Sequence, residues 1–445
     1  MVEVRGTPRT GERAARTAEP PEGRGTALAR GVDRLDGTLP FLLRPYGLLS
    51  ARARRLGRDV FDMRLLLQRT TCMTGAEAAE VFYDPRRFVR AGAAPRRLRA
   101  TLFGEGGVQT LDGARHRARK ELFMSLMTPE ARDDLCDIAA RLWRERIAAW
   151  AADGRRVVLF DEVSELLCEA VCAWTGVPVT RRQVPAVTRV LLSLIDSPAA
   201  VGPRYLRGRA ARRLADRWAA GHVVRTRESE TAEGTALERI AGFRDADGLP
   251  LPPEVAAVEL LNVLRPTVAV ARFVVFAALA LHGNPGWMRR LQDDDAPETM
   301  EAFVQEVRRF YPFFPVAAAR VAQDFTWRGH RFRKGRRALL DLHGIDHDPR
   351  SWDRPEQFRP ERFLGWEPDA YSFVPQGGGD HYGGHRCPGE WITKDLMKVA
   401  VTALTRWADY TVPAQDLRIP PWSAPALPKS GFVLAQVRVP SGEGR

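Results

Sequence analysis

Phe373-Val-Pro-Gln-Gly-Gly-Gly-Asp-His-Tyr-Gly-Gly-His-Arg-Cys387-Pro-Gly-Glu390 is the stretch on which the reading of this chain turns. Its glycines let the backbone approach something flat and close. Cys387 then stands immediately before Pro388, a residue favoured in the first turn of a helix. A thiol placed there feels the positive end of the helix dipole and nearby backbone N–H groups, which bias it toward thiolate. Such a thiolate can serve as a nucleophile, a soft metal ligand or a heme ligand. Zinc held by His381, His385 and Cys387 fits no standard zinc spacing and lacks a second cysteine pair. A phosphate cradle would need a following Lys-Ser/Thr, which is absent. A purely structural turn stays open from this segment alone.

Two segments upstream narrow the choice. Glu306-Val-Arg-Arg309 places an acid and an arginine three apart on one helix face. Arg359-Pro-Glu-Arg362-Phe363 follows, and then Gly383, His385, Cys387 and Gly389 in the pattern Gly-x-His-x-Cys-x-Gly. In this order and spacing the chain resembles the cytochrome P-450 superfamily. The resemblance implies heme b with Cys387 as the thiolate ligand of its iron, and a buried structural charge network of Glu306, Arg309 and Arg362 behind it.

Two departures from the common pattern indicate a branch. Asp380 stands where most members carry an aromatic, and Gln376-Gly-Gly-Gly379 lengthens the loop. The long central helix reads Glu259-Leu-Leu-Asn-Val-Leu-Arg265-Pro266-Thr-Val-Ala, with Arg265-Pro266 in place of the usual proton-delivering acid–alcohol pair. Both features resemble the fatty-acid peroxygenase branch. That likeness runs from about 39 to 439 and includes Thr101-Leu-Phe-Gly104, Asp112-Gly113 and Leu122-Phe-Met-Ser-Leu-Met127.

By that resemblance the protein hydroxylates long-chain fatty acids at the α or β carbon, with hydrogen peroxide as oxidant and no redox partner required. Splitting peroxide needs a base and then an acid, and an electron-rich thiolate helps push the O–O bond apart. Arg265 offers a planar fork matched to a carboxylate. It would hold the substrate's own carboxylate, which would serve as the acid–base group and bring the α and β carbons nearest the oxidant. Pro266 is expected to break the helix locally and open room above the heme. Gln109 resembles the position, near those carbons, where the branch carries Gln or His. A neutral amide cannot shuttle a proton as imidazole does, which favours hydroxylation over decarboxylation to terminal alkenes. Leu102, Phe103, Phe314 and Val316 are expected against the substrate. His116, Arg119, Lys120 and His385 are expected at the cofactor, the first three resembling the superfamily's heme-propionate site. The rival readings are a decarboxylase, a reductase-fed monooxygenase, and a heme-thiolate sensor or fatty-acid-binding protein without turnover.

Composition agrees with a globular enzyme. The 445 residues are 44% hydrophobic and 28% charged, and a chain of this size buries roughly three quarters of its unfolded surface. The net charge of +13 raises nucleic acid as a partner, but the basic residues are dispersed, with no zinc-finger spacing or RNP-like motif. A solvated basic surface is the reading. The longest nearly apolar run, 267–281, is interrupted by Arg272 and falls short of the roughly 20 residues a membrane span needs. The N-terminus carries several acids and no apolar h-region, so no secretory signal is read there. Five cysteines without a CxxC pair read as reduced thiols. The expectation is a cytoplasmic protein, monomeric, with a dimer as the alternative.

Residues 1–28, rich in Arg, Pro, Gly and Glu, read as a flexible extension, and 29–445 as one domain. Up to about 310 the pattern is mainly helical, as at 129–150, 161–174 and 254–281. Beyond about 312 come short alternating segments at 318–332 and 337–342, with turns at Arg328-Gly329 and Lys334-Gly335. A further helix is expected from Pro388 to about Trp407. The predicted fold is mainly α with a small β region, a cytochrome P-450 fold in a single domain.

Overall fold

The most apolar helical stretch of the chain runs through the protein's interior. The computed structural model describes residues 36–198, 202–229 and 234–440, and the extension read over 1–28 lies outside them. Helices α1 (Gly113–Ser125), α2 (Pro129–Asp153), α3 (Leu159–Thr175) and α4 (Pro203–Glu228) precede α5 (Pro253–Ala269) and α6 (Ala271–Gly283). Helices α7 (Pro297–Phe310) and α8 (Glu390–Thr402) follow. Pro253 opens α5, where its missing N–H costs nothing. Residues 256–265 are all buried, as a helix apolar on nearly every side must be, and both α3 and α4 pack against it. Pro253–Gly283 is the one helical stretch among the described residues long and apolar enough to cross a membrane, and 89% of its most apolar window is buried inside the protein.

Pro266 does not end the helix as expected. α5 continues to Ala269, and the interruption falls at Val270, whose N–H turns to the Thr267 carbonyl at 3.1 Å. A proline removes one bond of the helical ladder; the packing of α3 and α4 around α5 holds the rest.

A five-stranded sheet lies apart from the helical core, in the order β1 (Val60–Leu65), β2 (Gln68–Met73), β5 (Arg337–Asp341), β4 (Val316–Val321), β3 (Phe88–Val89). The reading of the chain before 310 as mainly helical names no strand at β1, β2 or β3. β1 and β2 form a local hairpin whose alternation that reading passes over, while the sheet partners β5 of β2 and β4 of β3 are distant in sequence. β2 pairs in parallel with β5, Cys72 opposite Leu339, and Arg337 Nε bonds Thr70 Oγ1 at 2.9 Å across 267 positions. The later strands and the hairpin Phe325–Trp327/His330–Phe332 fall where the alternation places them, turning at Arg328 and Gly329 with positive φ. Mainly α with a small β region is the observed class.

The cysteine loop is pinned at both ends. Val374 packs into the core beneath the sheet. Phe373 sits among Trp352, Phe363 and Trp366, with ring centroids 5.3 to 5.8 Å away. At the other end α8 sends Ile392, Leu396 and Met397 into the helical core. The loop thus joins two packed bodies and cannot drift.

Candidate active site

Cys387 is held from behind by Gln376. The Cys387 N–H donates to the Gln376 carbonyl at 3.1 Å. The side-chain Nε2 of Gln376 points to Cys387 Sγ at 3.9 Å and donates to Thr393 Oγ1 at 3.0 Å. Arg308 fixes that amide, its Nε donating to Gln376 Oε1 at 3.2 Å while its Nη2 bonds Glu390 at 2.6 Å. The turn itself needs glycine: a Cβ on Gly378 would lie 2.6 Å from the Ala370 carbonyl, and Gly379 adopts φ +80°. Helix α8 begins at Glu390, with Gly389 as its cap. The expected bias toward thiolate is not what the protein alone provides. Burial pushes the Cys387 thiol up, outweighing the charge of Lys120 and the Gly389 N–H, which favour the anion. A metal cation on the sulfur reverses that balance, because a coordinating thiol is deprotonated outright.

Behind the loop the predicted charge network is assembled. Glu306 and Arg309, both with fully buried side chains, meet at 2.7 Å, and Arg362 Nε approaches Glu306 at 3.1 Å. Arg309 also donates to the carbonyls of Asp346 (2.8 Å) and Pro355 (3.0 Å), and Glu306 accepts the Arg359 N–H at 2.7 Å. The network ties α7 to the segment before the loop.

On the other side of Cys387, buried basic groups converge. The rings of His116 and His385 stand 3.8 Å apart, Lys120 Nζ bonds the Arg386 carbonyl, and His385 approaches Asp112 at 3.5 Å. Burial, then the charges of His385 and Lys120, pull His116 down to about 3. Burial brings Lys120 down to about 8. Arg90, which the sequence reading missed, is buried beside the two histidines. The cations Lys120 and Arg90, with the imidazole N–H groups of His116 and His385 beside them, suit an anionic ligand, and a sulfur donor at the head of a pinned loop suits iron. These residues fit heme b: Cys387 would hold the iron, and His116, Lys120 and His385 would supply donors to the cofactor's carboxylates.

Arg119 does not join that group, a correction to the sequence reading. Its side chain is 1% exposed and turned to another face of α1, bonding Glu259 at 2.5 Å and Asp245 at 2.9 Å. Neighbouring positions on a helix point about 100° apart, so Lys120 and Arg119 cannot both serve one site.

A polar cluster marks the middle of α5. Arg265, 4% exposed, donates through Nη1 to the Leu102 carbonyl and through Nη2 to Asn262 Oδ1 at 3.0 Å. Asn262 Nδ2 donates to Gln109 Oε1 at 3.2 Å and to Glu259 Oε2 at 2.8 Å. Arg265 and Gln109 are thus joined through one amide. Burial, with the charge of Arg212 second, pulls Arg265 down to about 9; it is a cation its surroundings under-compensate. Pro266, next in sequence, is exposed although every other residue from 256 to 271 is buried, so accessible space reaches α5 at this point.

Leu102 and Phe103 end a π-helical turn (Arg99–Phe103), and the carbonyl of Leu102 faces Arg265. Phe314 is 43% exposed and packs edge-on to Phe313, 4.7 Å away, while Val316 opens β4. Among the described residues, the ring contact of Phe314 is to Phe313 and the strand partner of Val316 is Asp341, neither of them part of the Arg265 cluster. Sequence reasoning missed Asn262, Glu259 and Arg212, although a signal existed: Glu259, Asn262 and Arg265 recur every three residues on an otherwise apolar helix.

A cysteine-headed loop before a helix, a buried Glu–Arg–Arg network, and Lys120 and Arg90 gathered near the cysteine are what a heme-thiolate protein needs. The family model described as Cytochrome P450 matches residues 291–425. A point mutant of Cytochrome P450SP alpha (CYP152B1) is 48% identical, with a TM-score of 0.88 over 91% of this chain and 99% of that one. Cytochrome P450EX alpha (CYP152N1), solved with myristic acid, is 44% identical, with a TM-score of 0.87 over 91% and 98%. A variant of cytochrome P450 OleT in complex with arachidonic acid is 33% identical, with a TM-score of 0.88 over 92% and 98%. The chain belongs to the cytochrome P-450 superfamily, in its CYP152 fatty-acid peroxygenase branch. It is an oxidoreductase of that branch, and membership implies a heme iron.

Proposed function

We propose that this protein hydroxylates long-chain fatty acids at the α or β carbon using hydrogen peroxide, with no reductase. The observation that carries the reading is Arg265: a buried, under-compensated guanidinium next to the exposed Pro266. Two relatives solved with fatty acids, myristic and arachidonic, support the substrate class. Heme b bound through Cys387 would supply the iron that takes oxygen from peroxide and delivers it to carbon.

The protein's own residues do the rest. Arg265 exchanges the Leu102 carbonyl and Asn262 for the substrate carboxylate, a stronger, charge-assisted bidentate partner. Asn262 is held by Glu259 and Gln109, so the guanidinium is oriented before substrate arrives. The carboxylate, fixed at Arg265, accepts a proton from peroxide and returns it, a task no carboxylic acid–alcohol pair on α5 performs. Gln109 is a neutral amide whose oxygen is already accepting from Asn262. It holds position without moving protons, which favours hydroxylation.

The test is purified holoprotein with peroxide and a saturated long-chain acid, without reductase, followed by mass analysis. Acids hydroxylated at carbon two or three support the reading. A dominant 1-alkene would make it a decarboxylase, and product formed only with a reductase would make it a conventional monooxygenase.

A further inference from the structure

Arg212, on α4, meets Arg265 at a single acceptor. Its Nη1 donates to the Leu102 carbonyl at 3.1 Å, and the same oxygen accepts from Arg265 Nη1. Arg212 is 3% exposed, and its Nε is without a hydrogen-bond partner. Its charge is faced by Asp216, one turn along α4, at 2.6 Å; that carboxylate is itself 38% exposed. Gly104, at φ +79°, makes room for the guanidinium, since a Cβ there would overlap Arg212 Nη2. Two guanidinium groups therefore press on one neutral carbonyl, with the half-solvated Asp216 beside Arg212 and the more distant Glu259, itself paired with Arg119, to offset them. An arrangement of buried like charges is stable only when an anion is shared between them.

We propose that Arg212 and Arg265 together form a two-cation seat for the substrate carboxylate, with Asp216 as the stand-in anion that the entering acid displaces from Arg212. The inference rests on the reading of Arg265 as the carboxylate-binding residue. A carboxylate has two oxygens and about four acceptor sites, enough to take bonds from both arginines at once. Arg212 lies away from the reacting carbons. Its part is specificity: it selects an ionised acid over a neutral alcohol or ester of the same chain.

Titration calorimetry on the holoprotein, with hexadecanoic acid and 1-hexadecanol as the two probes, tests this. Arg212→Gln is expected to weaken the acid about tenfold, the usual worth of one charge-assisted bond, and to leave the alcohol within about twofold. Asp216→Asn keeps Arg212 and removes its competitor, and is expected to tighten the acid about threefold at unchanged alcohol affinity. Equal weakening of both probes by Arg212→Gln, or a weaker acid in Asp216→Asn, would make Arg212 a strut between α4 and Leu102 and overturn the proposal. If Arg212→Gln does not fold, the acid-to-alcohol ratio of Asp216→Asn decides. Failure of the underlying reading shows separately, as an acid affinity that Arg265→Gln leaves untouched.

Discussion

Arg119→Leu separates the two roles that adjacent positions of α1 carry. The substitution removes the guanidinium that bonds Glu259 at 2.5 Å and Asp245 at 2.9 Å. Asp245 keeps Arg115, at 3.3 Å, and the Ala246 N–H. Glu259, with no exposed side-chain surface, keeps only Asn262 Nδ2 at 2.8 Å and the Val108 N–H at 3.0 Å. Burial already pushes the Glu259 carboxyl up despite these partners, and without Arg119 its charge loses its directly paired cation and keeps only the more distant Arg265. Removing one member of a buried pair costs roughly 3–5 kcal/mol. For a chain of this length that is a fall in Tm of about 3–5 °C by calorimetry. Arg119→Leu with Glu259→Leu replaces the pair by apolar packing and is expected to recover more than half the loss. Heme bound per folded protein should be unchanged in Arg119→Leu and reduced in Lys120→Leu. Loss of heme in Arg119→Leu at an unchanged Tm would refute the reasoning and return Arg119 to the propionates.

Other consequences are equally direct. Glu301 is paired with Lys394 at 2.8 Å and Lys398 at 2.6 Å; burial opposes ionisation, but Lys394 and Lys398 bring its carboxyl down to about 2. A depressed carboxyl stabilises above its ordinary value near 4.5 and loses that contribution as pH falls toward 2. Glu301→Gln should therefore cost about 1–2 kcal/mol in urea unfolding at pH 7, discounted for partial exposure, and much less near pH 3; a gap constant with pH would contradict the pairing. Gln376→Met removes the N–H aimed at Cys387 Sγ and should lower the heme reduction potential, since the sulfur donates more strongly without it. An unchanged potential would reduce Gln376 to a loop strut. Gln109→His places a proton-carrying ring where an amide now sits and should raise the 1-alkene share of the products, measured by gas chromatography. An unaltered product ratio would remove Gln109 from the reacting set.

What could be read from sequence follows the range of the interactions. The cysteine loop was legible because Gly378, Gly379, Cys387 and Pro388 encode their geometry locally. Glu306, Arg309 and Arg362 were legible as an ordered set of motifs, and the structure assembles them. β2 and β3 were not, because each joins the sheet through a strand far along the chain, and the local β1–β2 hairpin carries charged residues that blur its alternation. Arg119 was misplaced for a different reason: beside Lys120 it carries the same charge, and only the rotation of α1 decides which one faces Cys387 and which faces Glu259. Pro266 was read by its intrinsic effect, which packing against α3 and α4 overrides. Leu102 is the hardest case, since the atom that matters is a backbone oxygen, and every residue type supplies one.

The central claim is that the substrate's own carboxylate, seated at Arg265, moves the proton. Peroxide-supported turnover of hexadecanoic acid and of its methyl ester, each at saturating concentration and without reductase, measures this most directly. The account predicts hydroxylation of the acid at carbon two or three and no turnover of the bound ester. Equal maximal rates for acid and ester would show that another group handles the proton, and would contradict it.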